Sequence, residues 1–192
     1  MKKDFDRAAA GWDLDPGRTK LAGEIAAAIR GAVPLSREMD VLDYGCGTGL
    51  LTLELQPYVR TITGMDSSKG MLGRLAEKIR DRALTNIKTM LLDVEQGETI
   101  PRRFHLITSS MTLHHVKDIT ALFRQFYNGL YPGGHLCIAD LDPDEGRFHG
   151  DSEGVFHFGF ERATLRNEFQ KAGFVGITDR SAATIEKGNP SA

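Results

Sequence analysis

Short apolar runs alternate along this chain with stretches in which apolar residues return every three or four positions. Leu21, Ile25 and Ile29 recur at four-residue spacing beside Ala28 and Ala32, which predicts a helix over 19–32 ended by Gly31 and Pro34. A strand is expected at about 39–44. After a glycine cluster, Leu50, Leu51, Leu53 and Leu55 predict a helix closed by Pro57, and 61–65 reads as a second strand ending in Asp66. Met71, Leu75 and Ile79 mark the next helix, with Asp66 or Ser67 as its expected cap. Third and fourth strands follow at 87–92 and 104–108. Asp118 is expected to cap a helix carrying Ile119, Leu122, Phe123, Phe126 and Leu130. Residues 131–134 read as a turn and 135–139 as a fifth strand ending at Asp140. A helix over 161–172 stops at Gly173, and 174–185 reads as a sixth strand. Strands alternating with helices predict an α/β fold with a mostly parallel sheet covered on both faces.

The stretch Val41-Leu42-Asp43-Tyr44-Gly45-Cys46-Gly47-Thr48-Gly49-Leu50 organises the chain. It is a strand, a glycine loop and a helix start, the arrangement of nucleotide-cofactor sites. Glycines there adopt backbone conformations that a Cβ forbids and let a ligand come close to the main chain. A dinucleotide places its pyrophosphate on the helix N-terminus and takes the spacing G-x-G-x-x-G. Here the spacing is G-x-G-x-G, and Asp43 stands two residues before the first glycine. A carboxylate so close would repel a pyrophosphate but suit a cofactor with a cationic end.

At these residues the chain resembles the class I S-adenosylmethionine (SAM) methyltransferases. Their first motif has the form hydrophobic–D-x-G-x-G-x-G, and residues 43–49 fill it. The resemblance implies a Rossmann-like class I methyltransferase fold and a role for each acid that ends a strand. Asp43 and the backbone of Gly45, Cys46, Gly47 and Gly49 would hold the amino-acid end of SAM. Asp66, with Ser67 beside it, would hold the ribose hydroxyls, and Met71 would pack near the base. Asp93 would accept from the adenine amino group, with the backbone N–H of Val94 toward a ring nitrogen. Ser110 would lie near the transferred methyl. His114 and His115 stand in a stretch similar to that of small-molecule enzymes of the ubiquinone-biosynthesis type. A histidine there could take a proton from an acceptor hydroxyl, because its ordinary pKa lies near neutrality. The Leu130-Tyr131-Pro132-Gly133-Gly134-His135-Leu136 stretch is also similar to the family, where it is structural.

The same resemblance makes residues 1–20 a lid-like segment, with Phe5 and Trp12 shielding the reacting centre, and 141–160 a substrate-side loop. Phe148, Phe156, His157 and Phe158 are candidates to line the acceptor pocket. The family's seventh strand, paired beside the fifth, is expected to be missing: Gly188-Asn189-Pro190 looks like the start of its hairpin, and the sequence stops at Ala192. That would leave a sheet edge open to dimerisation.

Composition narrows the partners. The 192 residues suit one methyltransferase domain, and a net charge of -2 argues against a nucleic-acid footprint. The resemblance to small-molecule enzymes implies a small-molecule acceptor. Ser109-Ser110-Met111-Thr112 lacks the N/D-P-P-Y/F stretch of base-directed amino methyltransferases. No run approaches the ~20 apolar residues of a membrane span. Two cysteines, Cys46 and Cys137, fit a reducing, cytoplasmic setting. Adjacent histidines do not share a face, so no metal site is expected. Two further readings stand beside methyl transfer: a SAM-binding regulator without activity, and a NAD-linked dehydrogenase.

Overall fold

Alternation along the first strand decides which side of the sheet each residue serves. In the computed structural model, which describes residues 4–144, 146, 148 and 152–185, β1 spans Asp40–Tyr44 and every one of its residues is buried. Leu42 and Tyr44 enter one apolar cluster and Val41 enters another. Burial on both faces is the signature of a central parallel strand. β1 pairs in parallel with β2 (Thr61–Asp66) and β4 (Phe104–Ser110); β3 (Ile87–Leu91) and β5 (Leu130–Ala139) complete the sheet. The strand order is β3-β2-β1-β4-β5, with every pairing parallel. The order reverses between β1 and β4, and ligands of open α/β sheets bind at the carboxyl ends beside such a reversal.

Numbering the helices in chain order, α1 is the short Phe5–Ala8, α2 spans Pro16–Ala32, α3 Leu50–Leu55, α4 Lys69–Asp81, α5 Ile119–Asn128 and α6 Arg162–Ala172. Ile25, Ala26 and Ile29 of α2 pack with Leu51 and Leu55 of α3 on one face of the sheet. Leu122, Phe123 and Phe126 of α5, with Leu165 and Phe169 of α6, cover the other. Each fully buried large side chain of α5 contributes about 1.5–3 kcal/mol. Asp118 caps α5 by accepting from the Ala121 N–H, and Gly173 ends α6 with a φ of 106°.

Three expectations change. The cap of α4 is Ser68, whose Oγ accepts from the Met71 N–H, because the Asp66 carboxylate is already taken by the N–H groups of Gly47 and Ser68. The expected turn at 131–134 lies inside β5 as an irregularity: Phe104 faces Leu130 but Leu106 faces His135, so the intervening residues loop out of register. No sixth strand forms at 174–185. A strand needs a ladder partner, and a groove of about 780 Å³ separates this segment from the outer edge of β5. Side chains hold it instead: Arg162 and Arg166 bind Asp179, and Arg162 also donates to Ser181. Val175 is 90% exposed and Gly176 has a φ of 65°, neither of which suits a covered strand. The expected hairpin at Gly188-Asn189-Pro190 lies outside the described residues. No described helix is long and apolar enough to cross a membrane.

Candidate active site

The carboxyl ends of β1, β2 and β4, with the segment that follows β3, surround a cavity of about 760 Å³. Asp43, Gly45, Cys46, Gly47, Asp66, Ser67, Met71, Asp93, Ser110, His114 and His115 all line it. Two of the residues expected to hold the cofactor, Gly49 and Val94, do not. Gly49 faces away: with a φ of 83°, a Cβ there would lie 2.3 Å from Leu75 Cδ1, so helix packing requires this glycine. Val94 packs against the core cluster instead of the cavity.

Gly47 is different. Its φ is 54°, and the nearest atom to an added Cβ is Met71 Sδ at 3.9 Å. That is ordinary contact distance, so a Cβ would fit here without a clash, and Gly47 lines the cavity, where a ligand can reach the loop. Gly45 again serves packing, since a Cβ would meet Thr112 at 2.2 Å.

Asp43 is 1% exposed. Thr52 Oγ1 donates to its Oδ2 at 2.5 Å and Thr108 Oγ1 to its Oδ1 at 3.1 Å. Burial pushes its pKa up to about 6 against the help of these hydroxyls, and the negative charge of Asp66 pushes the same way. This is a buried acid surrounded by hydroxyls and a second acid. Such a site suits a cationic ligand, because a buried anion without a counter-charge is costly. Burial, with the charges of Asp66 and Asp43, raises the Cys46 thiol well above its usual range, so this cysteine is no nucleophile.

Asp66 accepts from the Gly47 N–H and the Ser68 N–H, both at 2.8 Å, and so ties the glycine loop to the end of β2. A carboxylate offers about four acceptor positions, so holding the loop is compatible with holding a hydroxyl. Asp93 caps a 3-10 turn through the Glu95 N–H at 3.1 Å.

The N-terminal segment closes one side. Phe5 and Trp12 line the cavity with ring centroids 6.0 Å apart, and the Arg18 guanidinium lies 3.9 Å over the Trp12 ring. Two acids fasten this strap. Asp6 accepts from Ser68 Oγ at 2.5 Å and the Gly70 N–H at 2.7 Å, and Asp13 accepts from Thr48 Oγ1 at 2.6 Å and pairs with Lys78 at 2.5 Å. Of the four candidates in the 141–160 loop, only Phe148 lines the cavity; Phe156 and Phe158 are exposed, and His157 bonds the Val116 carbonyl.

Sequence reasoning missed Asp140, Met111 and the two strap acids. Asp140 Oδ1 lies 2.7 Å from His114 Nδ1, and its Oδ2 accepts from the N–H groups of Thr112 and Leu113. Its position at the carboxyl end of a strand was the available signal. Met111 lines the cavity with a φ of 53°, rare for a residue with a side chain, and nothing in its sequence announces that.

A family model described as a methyltransferase domain matches residues 18–178. The chain belongs to that family. Among relatives of this methyltransferase domain, a protein of Schizosaccharomyces pombe named as an uncharacterized methyltransferase is 33% identical over 149 residues, covering 70% of this chain and 52% of its own. A ubiquinone biosynthesis O-methyltransferase of Coxiella burnetii is 30% identical over 102 residues, covering 53% and 43%. The domain thus spans about half the length of these two relatives. The crystal structure of an S-adenosylmethionine dependent methyltransferase from Mesorhizobium loti superposes with a TM-score of 0.64 at 25% identity, covering 78% of this chain and 80% of that one.

Proposed function

We propose that residues 1–192 form one SAM-dependent methyltransferase domain acting on a small-molecule acceptor. The observation that carries the reading is Asp43: a buried carboxylate bonded by two hydroxyls and near another acid, beside a glycine loop that lines the cavity at Gly47. Those residues fit a ligand with a cationic amino-acid end. Bound there, SAM would supply an electrophilic methyl group. Asp43 would draw the ammonium and sulfonium end by charge, which acts strongly in a buried setting. The backbone at Gly47 would give it room. Asp66 would accept from the ribose hydroxyls and Asp93 from the adenine amino group, while Met71 packs against the base. The protein's share of catalysis is then to position two reactants and to exclude water, with Phe5 and Trp12 as the cover.

Calorimetric titration with S-adenosylhomocysteine (SAH) and with NAD tests this. The parent is expected to bind SAH and not NAD. Asp66→Ala and Asp93→Ala, if folded, should each weaken SAH by about tenfold or more, since each loses a hydrogen bond to a charged group of about 1.5–3 kcal/mol. Folded variants that bind SAH as tightly as the parent would remove the basis for the assignment.

A further inference from the structure

We propose that Tyr44 is a further cofactor-binding residue: its hydroxyl donates a hydrogen bond to N1 or N7, one of the two ring nitrogens that flank the adenine amino group. The inference rests on the methyl-donor reading above and gives the base end of that ligand a side chain of its own.

Adjacent strand residues point to opposite faces of a sheet. Asp43 faces α3, where Thr52 holds it, and Tyr44 faces the apolar cluster that α5 covers. β1 is the central strand, and Tyr44 lies in register between Met65 of β2 and Ser109 of β4. Two consecutive residues of one strand therefore reach the cavity from opposite faces, and both line it. In the reading above Asp43 serves the amino-acid end. Tyr44 stands on the side of the other end.

Its surroundings are those of the base. Tyr44 shares an apolar cluster with Leu92, the residue before Asp93, and with Val116. Leu92, Asp93, Glu95 and Val116 line the same cavity. Burial above all, and then the charges of Asp93, Glu95 and Asp66, push the Tyr44 pKa up. The hydroxyl therefore keeps its proton and is a donor at any working pH. The ring is fixed in place: it is 8% exposed and stands edge-on to Phe126, with centroids 5.2 Å apart. A donor held this way loses little freedom when it binds.

Among the described residues, none hydrogen-bonds this hydroxyl. The described side-chain atom that is sealed in without a partner is Ser109 Oγ, so the Tyr44 oxygen keeps access to the cavity surface. Tyrosine hydroxyls this deep usually find a partner. Two other hydroxyls on the wall are already engaged: Thr48 donates to Asp13, and Thr112 to the carbonyls of Gly45 and Ser110. Val94, the residue expected to serve a ring nitrogen, does not line the cavity.

The match is one of donors and acceptors. Adenine presents its amino group as a donor with an acceptor nitrogen on either side, N1 and N7. Asp93 would accept from the amino group, and Tyr44 beside it donates to the neighbouring nitrogen. A 6-oxo purine would turn a second acceptor toward Asp93, so the pair favours adenine.

The test is calorimetric titration of the whole chain with SAH and its 1-deaza, 3-deaza and 7-deaza analogues, each with CH in place of one ring nitrogen. The variant is Tyr44→Phe, which keeps the ring against Phe126 and removes the hydroxyl. It is expected to bind SAH about 3–10-fold more weakly, the range of one neutral hydrogen bond. Without ligand it should unfold at the parent's temperature or above, because the hydroxyl bonds nothing in the fold. The parent should lose a similar factor on either the 1-deaza or the 7-deaza analogue, and the variant should lose nothing further on that same analogue. The 3-deaza analogue should treat both proteins alike. A folded variant within twofold of the parent on SAH would overturn the proposal. So would equal losses in the two proteins on every analogue. Where Tyr44→Phe does not fold, Tyr44→Met takes its place, and a parent that binds the 1-deaza and 7-deaza analogues as tightly as SAH overturns the proposal by itself. A parent that does not bind SAH at all refutes the donor reading instead.

Discussion

Three glycines of one loop meet two different demands. Gly45 and Gly49 are required because neighbouring side chains occupy the place of a Cβ, whereas at Gly47 an added Cβ would only touch Met71 Sδ, at 3.9 Å. Substitution separates them. Gly49→Ala forces a Cβ to 2.3 Å from Leu75 in a left-handed conformation, and is expected to cost at least about 2 kcal/mol of stability. Gly47→Ala bears only the conformational cost of about 1–2 kcal/mol, yet it fills the ligand's space. Thermal unfolding beside SAH titration should find the first variant unstable but, where folded, still binding; the second should stay folded and lose binding. Asp43 adds a pH dependence at the same scale. Its carboxyl is held up to about 6, so a cationic ligand should bind less tightly as the pH falls through 6 and this acid becomes neutral. SAH titrations from pH 5 to 8 check it, and Asp43→Asn should flatten the profile.

At the scale of elements, the strap is a latch fastened at two points. The family resemblance drew attention to the aromatics Phe5 and Trp12 of this segment, which line the cavity, but its two acids carry the fastening: Asp6 on the start of α4 and Asp13 on Thr48 and Lys78. Asp13→Asn weakens the second point without touching the cavity wall. It is expected to speed SAH release by about 5–10-fold, the loss of roughly 1 kcal/mol in a partly buried pair, read by stopped-flow fluorescence of Trp12. The strap also marks where sequence reading works. Strands β1 to β5 and the helices that pair with them were legible because most follow one hydrophobic period and stop at a glycine, proline or acid. Contacts between distant segments were not. Asp140 on His114, Asp13 on Lys78 and the missing partner of 174–185 depend on what the fold brings alongside, and no local period encodes that. The sixth strand failed for this reason: its β-forming residues describe a compatible backbone, while a ladder needs a second strand at hydrogen-bonding distance.

For the whole molecule, β1 carries its stability at one end and its proposed chemistry at the other. Asp40 opens the strand, bound by Arg60 through Nε at 3.0 Å and Nη2 at 2.7 Å, with the Thr61 hydroxyl at 2.6 Å. Arg60 above all holds the Asp40 carboxyl down to about 2. Asp43, three residues on, is held up to about 6 by burial. The two acids therefore pull stability in opposite directions as pH changes. Asp40 takes up its proton later in the folded state than in the unfolded one, so its contribution is complete above about pH 4 and is lost as the pH falls toward 2. Asp43 keeps its proton longer in the folded state, so its ionisation subtracts stability as the pH rises from about 4 through 6. At one pKa unit per 1.36 kcal/mol, each effect is about 2–3 kcal/mol at most, and the Asp40 share is nearer 1–2 because Arg60 is half exposed. Urea unfolding of ligand-free protein should thus find Asp40→Asn weaker than the parent at pH 8 and Asp43→Asn stronger. At pH 4 the Asp43→Asn gain should vanish, because the parent's own carboxyl is then neutral. Saturating SAH should narrow the pH 8 difference too, since the ligand's ammonium group supplies a counter-charge to Asp43. An Asp43→Asn variant no more stable than the parent at pH 8 would mean that this buried acid already has its counter-charge within the fold, and the argument for a cationic ligand would lose its footing.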